Sequence, residues 1–198
     1  MRVVIENYDW ALASGLGLEP DTFVRFCDRG PHLVASTFVE LRKVCEPGTV
    51  IAGVHYDLNF VSGHAGGAIP GLYGETPDGR WLAIDPPENC VAVQPAWQLW
   101  YLTAGRIPRV RHMVIFDERN RDRLQQAKRQ CLGFPRTQLQ YFSHGWTENV
   151  LQPLSPFRNA ESEKQFPPQW VGEFVLDRLE EINLLKTRPL QRPLPDNF

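Results

Sequence analysis

The chain has 198 residues, enough for one substantial hydrophobic core and short for two. Hydrophobic residues make up 42%, charged residues 22%, and the formal net charge is -2. Nothing in that balance points to a nucleic-acid or membrane-surface partner, so a small molecule is the expected one. No apolar run approaches the ~18 residues of a membrane span. The start of the chain, Met1 to Asn7, lacks the long apolar segment of a signal peptide, and a cytoplasmic protein is expected. Cys27, Cys45, Cys90 and Cys131 are scattered and form no C-x-x-C pair, which reads as reduced structural thiols.

In chain order, Asn7–Leu18 carries Tyr8, Leu12, Leu16 and Leu18 at helical intervals, and Thr22-Phe23 follows a Glu-Pro-Asp turn into a second short helix. Short apolar runs broken by Gly, Pro and Asp come next, and they predict strands at Leu33–Leu41, Val50–Tyr56, Leu58–Val61, Gly71–Tyr73, Trp81–Ile84, Cys90–Gln94, Trp100–Thr103 and Val110–Phe116. Pro77-Asp78-Gly79 is placed as a hairpin turn. So many short strands point to a β-sandwich or barrel. Asp117–Gln130 is rich in helix formers and nearly lacks apolar residues, so it is expected to be an exposed helix or ordered loop. Arg136–His144 is again strand-like, and Trp170–Leu185 is the clearest amphipathic helix. Residues 1–198 are taken as a single domain, with outer helices over 1–32, the β core over 33–144, and a C-terminal extension over 145–198.

His55-Tyr56-Asp57 sets two metal-competent groups two residues apart on a predicted strand, where side chains i and i+2 face the same way. Imidazole nitrogen and carboxylate oxygen suit a borderline divalent metal, and a second histidine would complete the two-His-one-carboxylate face of non-haem iron(II) oxygenases. Taken alone, H-x-D is a weak motif.

Further blocks accompany it in order. They are Gly71-Leu72-Tyr73 with Asp78-Gly79-Arg80-Trp81-Leu82, then Ala96-Trp97-Gln98-Leu99 with Leu102-Thr103-Ala104-Gly105-Arg106, then Val110-Arg111-His112-Met113-Val114, and finally Arg136 to His144. Together with His55-Tyr56-Asp57-Leu58 they resemble the isopenicillin-N-synthase-like group of iron(II), 2-oxoglutarate-dependent oxygenases. The resemblance implies a jelly roll, or double-stranded β-helix, mainly β with flanking helices. It implies iron held by His55, Asp57 and His112, and conversion of 2-oxoglutarate to succinate and CO2 as dioxygen oxidises a small molecule by hydroxylation or desaturation. Arg136 matches the arginine that binds the far carboxylate of 2-oxoglutarate, with Gln138 where the group has a serine, and Arg121 is the rival cation. An upstream contact to 2-oxoglutarate falls near Thr37 and Phe38.

Other polar and aromatic candidates read more plainly. His64, in Ser62-Gly63-His64-Ala65-Gly66-Gly67, is expected on a flexible loop at the pocket rim, with a substrate contact as the minority reading. His32 and His144 read as surface or satisfied residues. The cluster Arg106, Arg109, Arg111, Arg119, Arg121, Arg123, Lys128 and Arg129 reads as a solvated helix and turn, or as a basic lid over an anionic substrate. Phe60, Trp97, Trp100, Tyr101 and Tyr141 are placed in the core, some of them lining the pocket. Two rivals to the leading function stand: an iron(II) oxidase of the same fold that needs no 2-oxoglutarate, and a non-catalytic jelly-roll binding module.

Overall fold

The computed structural model describes residues 1–40, 46–66, 70–129, 135–187 and 193–194. Cys45 and Cys131 lie outside these, as do Leu41 and Gln130 at the ends of two predicted elements and the Lys128 side chain. The chain opens with α1 (Arg2–Gly15), which buries Ile5, Asp9 and Ala13 at four-residue spacing, and continues into α2 (Thr22–Cys27). Then come β1 (Leu33–Glu40), β2 (Val50–His55), β3 (Val61–Ala65), β4 (Leu72–Glu75), β5 (Trp81–Ala83) and β6 (Val91–Pro95). Helix α3 (Trp97–Leu102), β7 (His112–Ile115), α4 (Glu118–Arg129) and β8 (Pro135–Ser143) complete the core. The last part of the chain adds β9 (Val150–Leu151), α5 (Ala160–Gln165), β10 (Gln169–Trp170) and α6 (Val171–Glu181).

Eight strands form two four-stranded antiparallel sheets, ordered β1-β8-β3-β6 and β2-β7-β4-β5. This is the jelly roll that the sequence predicts. Helix α1 lies against the outer face of the first sheet. Gly63 makes that approach possible, since a Cβ there would stand 3.1 Å from Ile5 Cδ1. The main core gathers Phe23, Phe60, Val61, Leu99, Leu102, Tyr101, Phe166 and Phe174 where α2, α3 and α6 meet the sheet. Burying one such ring stabilises the fold by ~1.5–3 kcal/mol. A smaller cluster, Phe116 and Leu124 with Val39 and Ile51, seats α4 beside β1 and β2. Among the described residues no helix is long and apolar enough to cross a membrane.

Two predicted strands are corrected. Trp100–Thr103 belongs to helix α3, whose Leu99 and Leu102 turn inward at a three-residue interval, and a short apolar run does not by itself tell strand from helix. Leu58–Val61 is not a strand of its own, because β3 begins only at Val61. His64 is also corrected: it stands in β3, hydrogen-bonded as a strand between β6 and β8, and is buried rather than on a rim loop. The short elements α5, β9 and β10 carry no periodicity long enough to be read in advance. His32 accepts the backbone N–H of His144 at 3.2 Å. Cys27 is buried as expected of a structural thiol, while Cys90 is exposed. Phe60, Tyr101 and Tyr141 are buried, and Trp97 and Trp100 pack partly buried against the same core.

Candidate metal centre and adjoining cavity

Strands β2 and β7 are antiparallel neighbours, and their register sets His55 directly opposite His112. Directly opposed residues share a sheet face, and the two imidazoles approach to 4.2 Å between ring centroids. Asp57 lies two residues beyond His55, just past the end of β2. Its Oδ1 stands 3.6 Å from Nε2 of each histidine. All three donor atoms lie within 4.8 Å of one another. Long-range pairing of β2 with β7 thus completes what the local H-x-D spacing begins.

The surrounding bonds orient these donors. His55 Nδ1 donates to Gly53 O at 2.7 Å, which turns Nε2 toward Asp57, and the hydrogen bond with Asp57 raises the His55 imidazole above its ordinary value. His112 Nδ1 lies 2.7 Å from the side-chain amide of Gln94 and 3.3 Å from Val110 O, contacts that hold the ring with its Nε2 on the side of Asp57. Ser62 Oγ donates to Asp57 Oδ2 at 2.5 Å, and Asn59 Nδ2 holds Ser62 Oγ at 3.2 Å. Burial pushes the Asp57 carboxyl up, but the hydrogen bond with His55, the charge of His112 and the Ser62 bond together hold it below the usual carboxylate range. Burial lowers His112 and keeps it neutral, the form that binds metal. His112 and Asp57 are buried and His55 is half exposed, so the centre sits at the mouth of the roll.

Ser62, Asn59 and Gln94 escaped the sequence reading. Ser62 pairs with Gln94 across β3 and β6, and parity places His64 on the same inner face. A signal was present, since polar side chains at inward positions of a strand require partners. Which partner they meet depends on strand register.

A cavity of about 750 Å³ opens between the sheets, bounded among others by His64, Leu72, Ile84, Arg119, Arg136 and Gln138. His64 joins it to the triad, its ring edge-on to His112 at 6.2 Å. Burial pushes His64 down to about 4, so it is neutral at pH 7, and its Nε2 has no hydrogen-bond partner. Arg136 is only 4% exposed, its Nε is unpartnered, and among the described residues it forms no ion pair. Burial lowers its pKa, with the charge of Asp85 opposing. An arginine remains charged even so.

The rival Arg121 stands on α4 with its side chain half exposed, paired with Glu118 one turn away. Arg119 is committed to Asp117, Asp85 and the Tyr73 hydroxyl, Arg111 to Glu75, and Arg109 stacks on Trp97 at 3.4 Å. Much of the basic cluster is therefore already paired within the fold. Gln138 donates its amide N–H to Ala65 O at 2.9 Å. Thr37 pairs with Gln138 across β1 and β8 but is itself exposed, as is Phe38 at 65%.

Fold and site together define a jelly-roll protein with a two-histidine, one-carboxylate centre able to take a divalent metal. Solved structures of this architecture are similar to it along most of its length. A full-length Neurospora crassa protein in complex with alpha-KG matches at TM-score 0.75 and 22% identity, covering 91% of this chain and 53% of that one. The same Neurospora protein is also known with alpha-KG and 5-formyluracil. A Caulobacter crescentus protein named for the 2OG-Fe(II) oxygenase family matches at TM-score 0.71 and 24% identity, over 90% of this chain and 56% of the other. The Arabidopsis thaliana dioxygenase for auxin oxidation 1, bound to 2-oxoglutarate, matches at TM-score 0.65 and 20% identity, over 81% and 55%. At such identities the likeness bears on the fold. The chain spans about half the length of these structures. No family model and no curated protein matches the chain.

Proposed function

We propose that the chain carries the active centre of an iron(II)- and 2-oxoglutarate-dependent oxygenase of the isopenicillin-N-synthase-like group, acting on a small molecule. The observation that carries this reading is Arg136, a buried cation with no ion pair among the described residues, lining a cavity whose wall includes His64, the neighbour of His112 in the His55–Asp57–His112 triad. A buried charge is stable only when compensated, and a far carboxylate meets that need with charge-assisted hydrogen bonds. The donor set fits a divalent iron, with His55 and His112 offering imidazole nitrogens and Asp57 an oxygen. Iron and keto acid, when bound, supply the activation of dioxygen, with succinate and CO2 as the co-products of hydroxylation or desaturation.

The chain's own share is placement. Ser62 and Gln94 hold Asp57 and His112 in position, and Gly53 O sets the His55 tautomer. Arg136 fixes the distal end of the keto acid, and Gln138, tied to Ala65 O, stiffens the wall beside it. Charges then balance around the site: a divalent ion with Asp57, a dianionic acid with Arg136. The local charge budget also explains why Arg119, already satisfied by Asp117 and Asp85, is not needed for the acid.

The test is release of succinate and CO2 by the full chain loaded anaerobically with iron(II) and then exposed to air, with and without 2-oxoglutarate. Turnover of the keto acid is expected even without the primary substrate. Iron-dependent oxidation that ignores 2-oxoglutarate would refute the reading in favour of an oxidase. Absence of metal binding would refute it in favour of a binding module.

A further inference from the structure

His64 is a buried titratable residue beside the triad to which the proposed chemistry assigns no part. It projects from β3 on the same inner face as Ser62, between the triad and the cavity, and is 4% exposed. Its Nε2 is buried and has no partner. A structural histidine in a strand interior normally has its ring nitrogens satisfied, because an unmade hydrogen bond in the interior leaves the desolvation of that group uncompensated. Arg136 presents the same condition in the same cavity, with Nε buried and unpartnered. Strand pairing explains the convergence. His64 pairs with Gln140 on β8, and Gln140, Gln138 and Arg136 alternate onto one face, so His64 and Arg136 flank one space from adjacent strands.

Resting on the proposed function, we propose that His64 is a co-substrate-binding residue, whose Nε2–H and the Arg136 guanidinium together hold the far carboxylate of the keto acid. One carboxylate has two oxygens and several lone pairs, enough to accept from both groups. Gln138 is less free for this role, since its amide nitrogen already donates to Ala65 O at 2.9 Å and to Leu139 O at 3.4 Å.

The test uses the full chain loaded with redox-inert Mn(II) and titrated calorimetrically with two acids. One is 2-oxoglutarate; the other, 2-oxobutanoate, has the same keto-acid head and lacks the far carboxylate. His64→Leu is expected to weaken 2-oxoglutarate roughly tenfold or more while leaving 2-oxobutanoate and Mn(II) affinity unchanged. His64→Gln, which keeps an N–H at similar reach, is expected to recover most of the loss. His64→Phe serves as a second donor-free variant if His64→Leu does not fold. An unchanged 2-oxoglutarate affinity in the donor-free variants overturns the proposal, as does an equal loss for both acids, which marks a structural role. If wild type binds 2-oxoglutarate and Arg136→Met abolishes it while His64→Leu does not, the His64 assignment fails and the oxygenase reading stands. If wild type binds neither acid, both fail.

Discussion

Replacing Arg136 by methionine separates a cation kept for a ligand from a cation kept for the fold. Arg136 is 4% exposed and has no ion pair among the described residues, and Asp85, the acid whose charge reaches it, is itself paired with Arg119. Without ligand, the guanidinium is therefore a desolvated charge with little compensation. Methionine fills similar space without that charge, so Arg136→Met is expected to raise the stability of the ligand-free protein by up to ~2 kcal/mol. For a chain of this size that is a Tm increase of about 4–8 °C. Binding moves the other way. Truncating one partner of a buried, hydrogen-bonded charge pair costs about 2–5 kcal/mol, or roughly 30-fold to several thousandfold in 2-oxoglutarate affinity. Wild-type protein at 100 times the dissociation constant gains about 2.7 kcal/mol from ligand, a further ~5–10 °C, and the variant should gain almost none. Thermal unfolding of the Mn(II)-loaded proteins, with and without 2-oxoglutarate, reads both effects. A variant that melts several degrees lower yet keeps its ligand shift would refute the reasoning, because it would make Arg136 a structural cation.

Three other outcomes follow from named contacts. Ser62→Ala removes the 2.5 Å hydrogen bond to Asp57 Oδ2 and should lower Mn(II) affinity about tenfold by calorimetry, with the fold intact; unchanged affinity would deny Ser62 its orienting role. Asp9, buried in α1, has its carboxyl pushed up to about 8 by burial and by the charge of Glu6. An unfolded Asp titrates at about 3.9, so between there and pH 8 the folded chain keeps a proton the unfolded chain has lost. This stabilisation is complete below about pH 4 and is lost as pH rises through about 8. From pH 6.5 to 8, above the range where the buried neutral histidines add slope, urea unfolding should show stability falling by up to ~1.4 kcal/mol per unit, and Asp9→Asn should flatten the line. Equal slopes would dismiss Asp9 as the source. Gly71 has φ +131°, and a Cβ there would lie 2.5 Å from Ile115 O, so Gly71→Ala should lower stability by more than ~2 kcal/mol, seen as a Tm drop of several degrees. A Tm within one degree of wild type, by contrast, would mean that β4 enters the sheet with more slack than this close approach implies.

The sequence by itself determined what local periodicity and short motifs can carry. Alternation and turn residues marked most strands of the roll, and the two-residue spacing of His55 and Asp57 marked a metal-competent pair, because a pleated chain sends i and i+2 the same way. The amphipathic repeat near Val171 and Phe174 marked α6, although the structure ends it at Glu181. Tertiary structure decided the rest, for one physical reason: a side chain's burial and partners depend on strands distant in sequence. His112 joins the site through β2–β7 register, and Ser62 and Gln94 are neighbours only because β3 pairs with β6. Arg136 and Arg121 look alike in a charged stretch of sequence. Only the pairing of β8 between β1 and β3 buries the first in the cavity, while α4 leaves the second in solvent beside Glu118. His64 is the sharpest case. Its glycine neighbours suggest a loop, yet Gly63 is there to admit α1, and the strand it belongs to turns His64 inward between the triad and Arg136.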